Sequence, residues 1–128
     1  MPSYLLDTTI LIDHLRGQPA AVALLTKLAG QGHRLGVCCI NLAELYAGLS
    51  REEQARANAL IESLDYYQVT RETAKQAGDF RYQFARQGTI LTLADTLIAA
   101  AAVAEGATLV TANAKDFPMQ EVQLLRQP

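Results

Sequence analysis

Several large protein classes are closed to this chain by what it lacks. No apolar run approaches the ~18 residues that a membrane-spanning helix needs; the longest is the alanine-rich stretch after Thr96. The opening Met1-Pro2-Ser3-Tyr4 has no basic segment followed by an apolar core. No secretory signal is read there, and a cytoplasmic location is expected. Only two cysteines occur, Cys38 and Cys39, and they are adjacent. Neighbouring side chains diverge on a strand, so they do not bridge, and both are expected as small, buried, reduced residues. With no Cys-x-x-Cys pair and no histidine cluster, zinc is excluded. The two histidines, His14 and His33, look peripheral, the second in the loop Gly30-Gln31-Gly32-His33. Repeats, linkers and low-complexity tracts are absent, and 128 residues suit one domain spanning 1–128.

What is present is an alternation of short apolar strands with helices. Tyr4–Leu6, Leu35–Ile40, Tyr66–Val69, Thr108–Val110 and Val122–Leu125 read as strands, the second apolar without alternation, as in a sheet covered on both faces. Between them lie helical segments at Thr9–Leu15, from Pro19, at Asn41–Leu49, after the capping box Ser50-x-x-Glu53, at Thr70–Gln87 and at Leu93–Glu105. Gly17, Gly88 and Gly106 are placed to end three of them. On the Thr70–Gln87 helix, Thr73, Ala74, Ala77, Phe80 and Phe84 share one face. The pattern implies a single α/β domain with a mostly parallel sheet.

Four acidic residues, Asp7, Glu44, Asp95 and Asp116, fall within a residue or so of a junction between strand or loop and helix. In open parallel sheets ligands bind beyond the carboxyl ends of the strands, near the point where strand order reverses. One sheet edge would therefore collect all four. Carboxylates brought together repel, and a hard divalent cation held by oxygen ligands relieves the repulsion. The formal net charge is −2, so without these four acids the remainder sums to +2 and charge does not exclude a nucleic-acid partner. Each acid also has a plain structural role open to it. Asn41-x-x-Glu44 and Thr92-x-x-Asp95 have capping-box spacing, Asp7 can cap the first helix, and Asp116 can form a turn before Phe117-Pro118. Capping and ligation are compatible, because a helix N-terminus keeps a carboxylate ionised and oriented. Asp13, near Asp7 on the first helix, is placed at the rim.

The segments Tyr4-Leu5-Leu6-Asp7-Thr8-Thr9-Ile10-Leu11-Ile12, Asn41-Leu42-Ala43-Glu44-Leu45-Tyr46-Ala47-Gly48, Ala94-Asp95-Thr96-Leu97-Ile98-Ala99-Ala100 and Thr111-Ala112-Asn113-Ala114-Lys115-Asp116-Phe117 resemble, in order, the four signature segments of PIN domains. They span nearly the whole chain, and their style is nearest to the VapC-like toxins of bacterial and archaeal toxin–antitoxin pairs. The resemblance implies a three-layer α/β/α sandwich on a mostly parallel sheet of four to five strands. It also implies an Mg²⁺- or Mn²⁺-dependent endoribonuclease, usually a homodimer, silenced by a small antitoxin. Asp7 and Asp95 would ligate the metal, with Glu44 and Asp116 completing the pocket. Thr111 and Asn113 would orient Asp116, and Thr8 and Thr9 would support the first ligand. Thr9 stands where the family often has Asn, and Asn41 where it often has Ser or Thr.

Arg81, which falls beside Ala77 and Phe84 on its helix, has two readings. It only snorkels to water, which is favoured, or it reaches a phosphate or an active-site carboxylate. Lys115 is a second phosphate candidate of the same standing. No aromatic-rich basic strip of the single-strand-binding kind stands out. Helices from Pro19 to Ala29 and from Arg51 to Leu64 carry enough Leu, Ala and Ile to serve a dimer or an antitoxin helix. The competing functions are another PIN-type nuclease role in RNA processing or on DNA, and a non-catalytic RNA- or protein-binding module. A phosphatase-like enzyme is ranked last, because Asp7-Thr8-Thr9 lacks the second Asp of an Asp-x-Asp pair.

Overall fold

The computed structural model describes residues 2–127. Five strands, β1 (Ser3–Leu6), β2 (Arg34–Cys38), β3 (Asp65–Tyr67), β4 (Thr108–Thr111) and β5 (Gln123–Arg126), form one sheet in the order β3-β2-β1-β4-β5. Every pairing is parallel. Six helices connect them: α1 (Thr8–Leu15), α2 (Pro19–Gly30), α3 (Cys39–Gly48), α4 (Arg51–Glu62), α5 (Arg71–Arg86) and α6 (Leu93–Glu105). Strand order grows from β1 toward β3 on one side, then reverses to β4 and β5 on the other. Crossovers of a single hand therefore place the first four helices on one face and the last two on the opposite face.

The alternation within each strand shows both faces to be covered. Leu5, Cys38 and Leu109 pack with Ala77 and Phe80 of α5 and with Ile98 and Ala99–Ala102 of α6. Their neighbours Leu6, Val37 and Val110 pack with Ile10, Leu11, Leu25, Leu28 and Leu45 from α1, α2 and α3. Leu5, Leu6, Leu109 and Val110 are all fully buried, and burial of each such side chain contributes about 1.5–3 kcal/mol. The register sets Leu5 beside Leu109 and Leu6 beside Val110, so like faces meet. This is the three-layer sandwich expected from the sequence. Among the described residues no helix is long and apolar enough to cross a membrane.

The element boundaries differ from the sequence reading in places that have local causes. β2 stops at Cys38, and α3 begins at Cys39, two residues earlier than expected. The side chain of Asn41 accepts a hydrogen bond from the Cys38 N–H at 2.9 Å, turning the chain from strand into helix at that point. Asn41 is thus the third helical residue, and not the cap of a box closed by Glu44. The same early turn leaves Cys38 buried and Cys39 exposed, so only one cysteine is a core residue. β3 runs over Asp65–Tyr67, tied at its start by the Arg34–Asp65 ion pair at 2.8 Å, while Val69 lies outside the strand before the Thr70 cap. Ala74 is exposed, so the buried stripe of α5 narrows to Thr73, Ala77 and Phe80. The capping box at Ser50 and Glu53 forms as read, with bonds of 3.0 and 3.2 Å. Gly106 closes α6 in the left-handed conformation, φ 64.

Candidate active site

Asp7 is the first residue after β1, and its N–H donates to the Val110 carbonyl at 2.9 Å, the last rung between β1 and β4. Its backbone is extended, and its Oδ1 accepts from the Thr8 N–H at 2.8 Å, which makes it the N-cap of α1. The other carboxylate oxygen, Oδ2, accepts from the Thr111 hydroxyl at 2.8 Å. Thr111 ends β4 and is fully buried; its Oγ1 in turn accepts the Asn113 N–H at 2.9 Å. One carboxylate is thereby fixed from two elements at the point where strand order reverses. The sequence reading gave Thr111 to Asp116. The structure gives it to Asp7, because β4 is the direct neighbour of β1.

Glu44 projects from α3, exposed, and its Oε1 accepts from the Thr8 hydroxyl at 2.7 Å. Thr8 receives a bond from Asn41 Nδ2 at 3.4 Å, so Asn41, fully buried, links the β2–α3 turn to the helix that Asp7 caps. Thr9 Oγ1 is shielded from solvent and has no hydrogen-bond partner. Asp95 lies in the first turn of α6, where its N–H donates to Thr92 Oγ1, the cap, at 3.0 Å. Asp116 closes the short 3-10 turn Ala114–Asp116 after β4, its N–H bonded to the Asn113 carbonyl at 2.9 Å. Asn113 therefore positions Asp116 through its backbone.

The electrostatics show that the four acids share one region. Burial pushes the Asp7 carboxyl above the usual carboxylate range. The bonds from Thr111 and Thr8 pull it back in part, and the charges of Glu44 and Asp116 push it up again. Asp95 is likewise raised, first by burial, then against the bond to Thr92, by Asp116, Asp7 and Glu44. Asp95 thus feels the other three acids, and Asp7 feels Glu44 and Asp116. Among the described residues no three His, Cys, Asp or Glu side chains stand close enough to enclose an ion between them. Carboxylate oxygens, the donors these acids offer, are of the kind a small hard cation takes through one or two carboxylates and waters.

The other candidates lie outside this cluster. Arg81 is exposed, and its Nε donates to the Leu91 carbonyl at 3.0 Å, holding the loop just ahead of the Thr92 cap. Lys115 is exposed on the turn beside Asp116. His14 and His33 line a groove between α2 and α4, together with Leu25, Leu60 and the Arg34–Asp65 pair. The roles that the sequence did not give are those of Asn41, read as a cap and as a departure from the family, and of Thr92, read only through its spacing. The signal for both was a polar side chain three residues before one of the acids.

The PIN domain family model matches residues 4–121. Ribonuclease VapC19 of Mycobacterium tuberculosis is 38% identical over 117 residues, covering 90% of this chain and 92% of the relative. Ribonuclease VapC10 of the same organism is 34% identical over 117 residues, 91% of this chain and 87% of the relative. Among solved structures, VapBC2 of Rickettsia felis bound to a DNA fragment from its promoter superposes with a TM-score of 0.88 at 27% identity, covering 98% of this chain and 99% of the other.

Proposed function

The chain belongs to the PIN-domain family, and on that premise we propose that it is an endoribonuclease, the toxin of a toxin–antitoxin pair. The observation that carries the proposal is Asp7 held at the end of β1 with its carboxyl raised first by burial and also by Glu44 and Asp116, while Asp95 is raised by burial and by the other three acids. A buried carboxylate repelled by neighbouring acids lowers stability unless a cation joins it. The cofactor of this reading is Mg²⁺, with Mn²⁺ as substitute. When bound, it supplies positive charge that activates water and stabilises the phosphoryl oxygens of an in-line displacement. Asp7 and Asp95 would hold it, while Glu44 and Asp116 orient waters.

The residues of the chain do the positioning. Thr111 and the Thr8 N–H lock both oxygens of Asp7, so ligand geometry does not depend on solvent. Thr8 steers Glu44, and Asn41 steers Thr8. Thr92 holds the start of α6 and with it Asp95. No histidine takes part.

The named relatives are ribonucleases and the structural neighbour is a complex of the VapBC kind, which supports RNA as substrate and a small antitoxin protein as partner. The groove between α2 and α4, about 510 Å³ and lined by Leu25, Ala29, Leu35, Leu60 and Leu64, is the surface we assign to an antitoxin helix. For a homodimer the α5–α6 face is the better fit, since Tyr82, Ile90 and Leu93 are exposed there around one depression. The reading places the protein in the cytoplasm.

The test is cleavage of a structured RNA pool by the purified, partner-free protein with Mg²⁺, with EDTA, and with a folded Asp7→Asn variant. Metal-dependent cutting that Asp7→Asn lacks is expected. Cutting that survives EDTA would refute the cofactor. Absence of cutting in every tube, with no co-purified antitoxin, would favour a non-catalytic binding module.

A further inference from the structure

An acidic cleft repels the RNA that it must cut, so substrate binding needs cations that the cleft's own carboxylates do not consume. The chain has 11 Lys and Arg, and many are already engaged. Arg16 and Arg34 are ion-paired to Glu53 and Asp65. Arg56 and Arg81 donate to backbone carbonyls, and Arg86 lies over the Tyr82 ring and bonds its hydroxyl. Lys27, Arg51, Arg71, Lys75, Lys115 and Arg126 have no such bond among the described residues, and of these Lys115 and Arg126 stand together. Both are exposed, neither is in an ion pair among the described residues, and they line one depression of about 510 Å³ with Asn113 and Gln127.

The sheet places that depression beside the acids. Arg126 on β5 is in register with Thr111 on β4, and Thr111 bonds Asp7 at the end of β1. Asp7, Thr111 and Arg126 thus stand in line across three adjacent strands, and two strand spacings amount to roughly 10 Å. Strand alternation also sets their common face. Leu5, Leu109 and Leu124 pack toward α5 and α6, so Asp7, Thr111 and Arg126, each two residues on, continue that same face. It is the face covered by α6, which carries Asp95. Lys115 approaches from the turn that ends in Asp116.

We propose that Lys115 and Arg126 form a phosphate subsite that holds the RNA backbone next to the scissile phosphate, on the β5 side of the cleft. The inference rests on the ribonuclease reading and adds to it the path of the substrate. Both contacts are to phosphate, so they would be indifferent to base identity.

The test is binding of a single-stranded RNA in EDTA, followed by fluorescence anisotropy across a salt series, with the RNA checked for integrity on a gel. Each phosphate neutralised on a single strand contributes about −0.7 to the slope of log K against log salt. Lys115→Ala with Arg126→Ala is expected to flatten the slope by about 1.4. Affinity should then fall about 25-fold at 0.1 M salt relative to 1 M, where the two proteins converge. The loss should be equal for RNAs of different sequence, and Lys115→Arg with Arg126→Lys should restore the slope. Thermal melts monitor folding, and Lys115→Gln alone, with half the slope change, covers a double variant that does not fold. Wild-type slope and affinity in the variants, alongside a wild type that binds and cuts RNA, would overturn this subsite and leave the nuclease standing. A wild type that neither binds nor cuts RNA would overturn both.

Discussion

Thr111→Val isolates the bond that fixes Asp7. Valine has nearly the shape of threonine, so the fully buried site stays filled and only the hydroxyl is lost. Two hydrogen bonds go with it: the 2.8 Å donation to Asp7 Oδ2 and the 2.9 Å bond accepted from the Asn113 N–H. A bond to a charged group contributes about 1.5–3 kcal/mol and a neutral one about 0.5–1.5 kcal/mol. The expected destabilisation is about 2–4 kcal/mol, or about 10 °C in the melting temperature of a domain of this size. The assay is thermal unfolding by circular dichroism in EDTA, across a pH series. The Thr111 bond opposes the rise that burial imposes on the Asp7 carboxyl, so its loss moves that group further above the usual carboxylate range. A raised carboxyl has its stabilising influence at pH below the unfolded-state value and loses it as pH climbs through the folded-state value. The deficit of Thr111→Val should therefore be largest at neutral pH and shrink in acid, where Asp7 is protonated in both proteins. A deficit that stays constant down to pH 3.5, or one under about 1 kcal/mol at pH 7, would refute the reasoning.

The same logic predicts that Asp7→Asn abolishes RNA cleavage yet raises the melting temperature of the metal-free protein at pH 7, because Asn caps a helix as well as Asp does and carries no buried charge. The gain should vanish in acid, and a loss at pH 7 would show that the two hydrogen bonds outweigh burial. Added Mg²⁺ should stabilise the wild type, by about 2.7 kcal/mol at a hundredfold excess over its dissociation constant, and leave Asp7→Asn unmoved in the same melts. Gly36→Ala drives a Cβ into the Tyr67 ring, and overpacking of this kind costs about 1–3 kcal/mol. Chemical denaturation should show the loss, with recovery when Tyr67→Leu is added. Arg81→Met removes the bond to the Leu91 carbonyl and should cost about 1 kcal/mol. An RNA-binding defect at matched folding would instead make its guanidinium a phosphate ligand.

The architecture was legible because its causes are local and repeated. Paired apolar residues such as Leu5-Leu6 and Leu109-Val110 mark strands buried on both faces, and Gly106 and Ser50-x-x-Glu53 mark helix ends wherever they occur. Asp7 and Asp95 were legible for a related reason, since one follows a strand end and the other sits in the first turn of a helix, whereas Glu44 proves to lie in the middle of α3 and Asp116 to close a 3-10 turn. The partners of those acids were not. Thr111 lies 104 residues from Asp7, and only the order β2-β1-β4 reveals that they are neighbours. Arg126 carries no local mark at all, because its place beside the acids depends on β5 pairing with β4 in a given register. The misread start of α3 has a single-residue cause: Asn41 bonds backward to Cys38, which spacing alone does not distinguish from a cap at Asn41.

The sequence left a capping role open to each acid, compatible with ligation, and the structure shows that role for Asp7. Asp7 caps α1 with one oxygen while the other meets Thr111. Asp95 sits one turn inside α6 with its backbone held by the cap Thr92. A carboxylate that only capped would be free to turn toward solvent. Instead Asp7 is buried, and both Asp7 and Asp95 bear a rise that burial leads and the other acids augment. Helix termini alone do not require that cost, since an exposed cap satisfies them equally well. Of the four acids, Asp7 is buried, Asp95 and Asp116 are half-buried and Glu44 is exposed, so the cost of bringing them together falls mainly on Asp7, the one whose two oxygens are both held. The cations on the β5 side extend the same division of labour, with the sheet's centre reserved for the reacting phosphate and its edge for the rest of the strand.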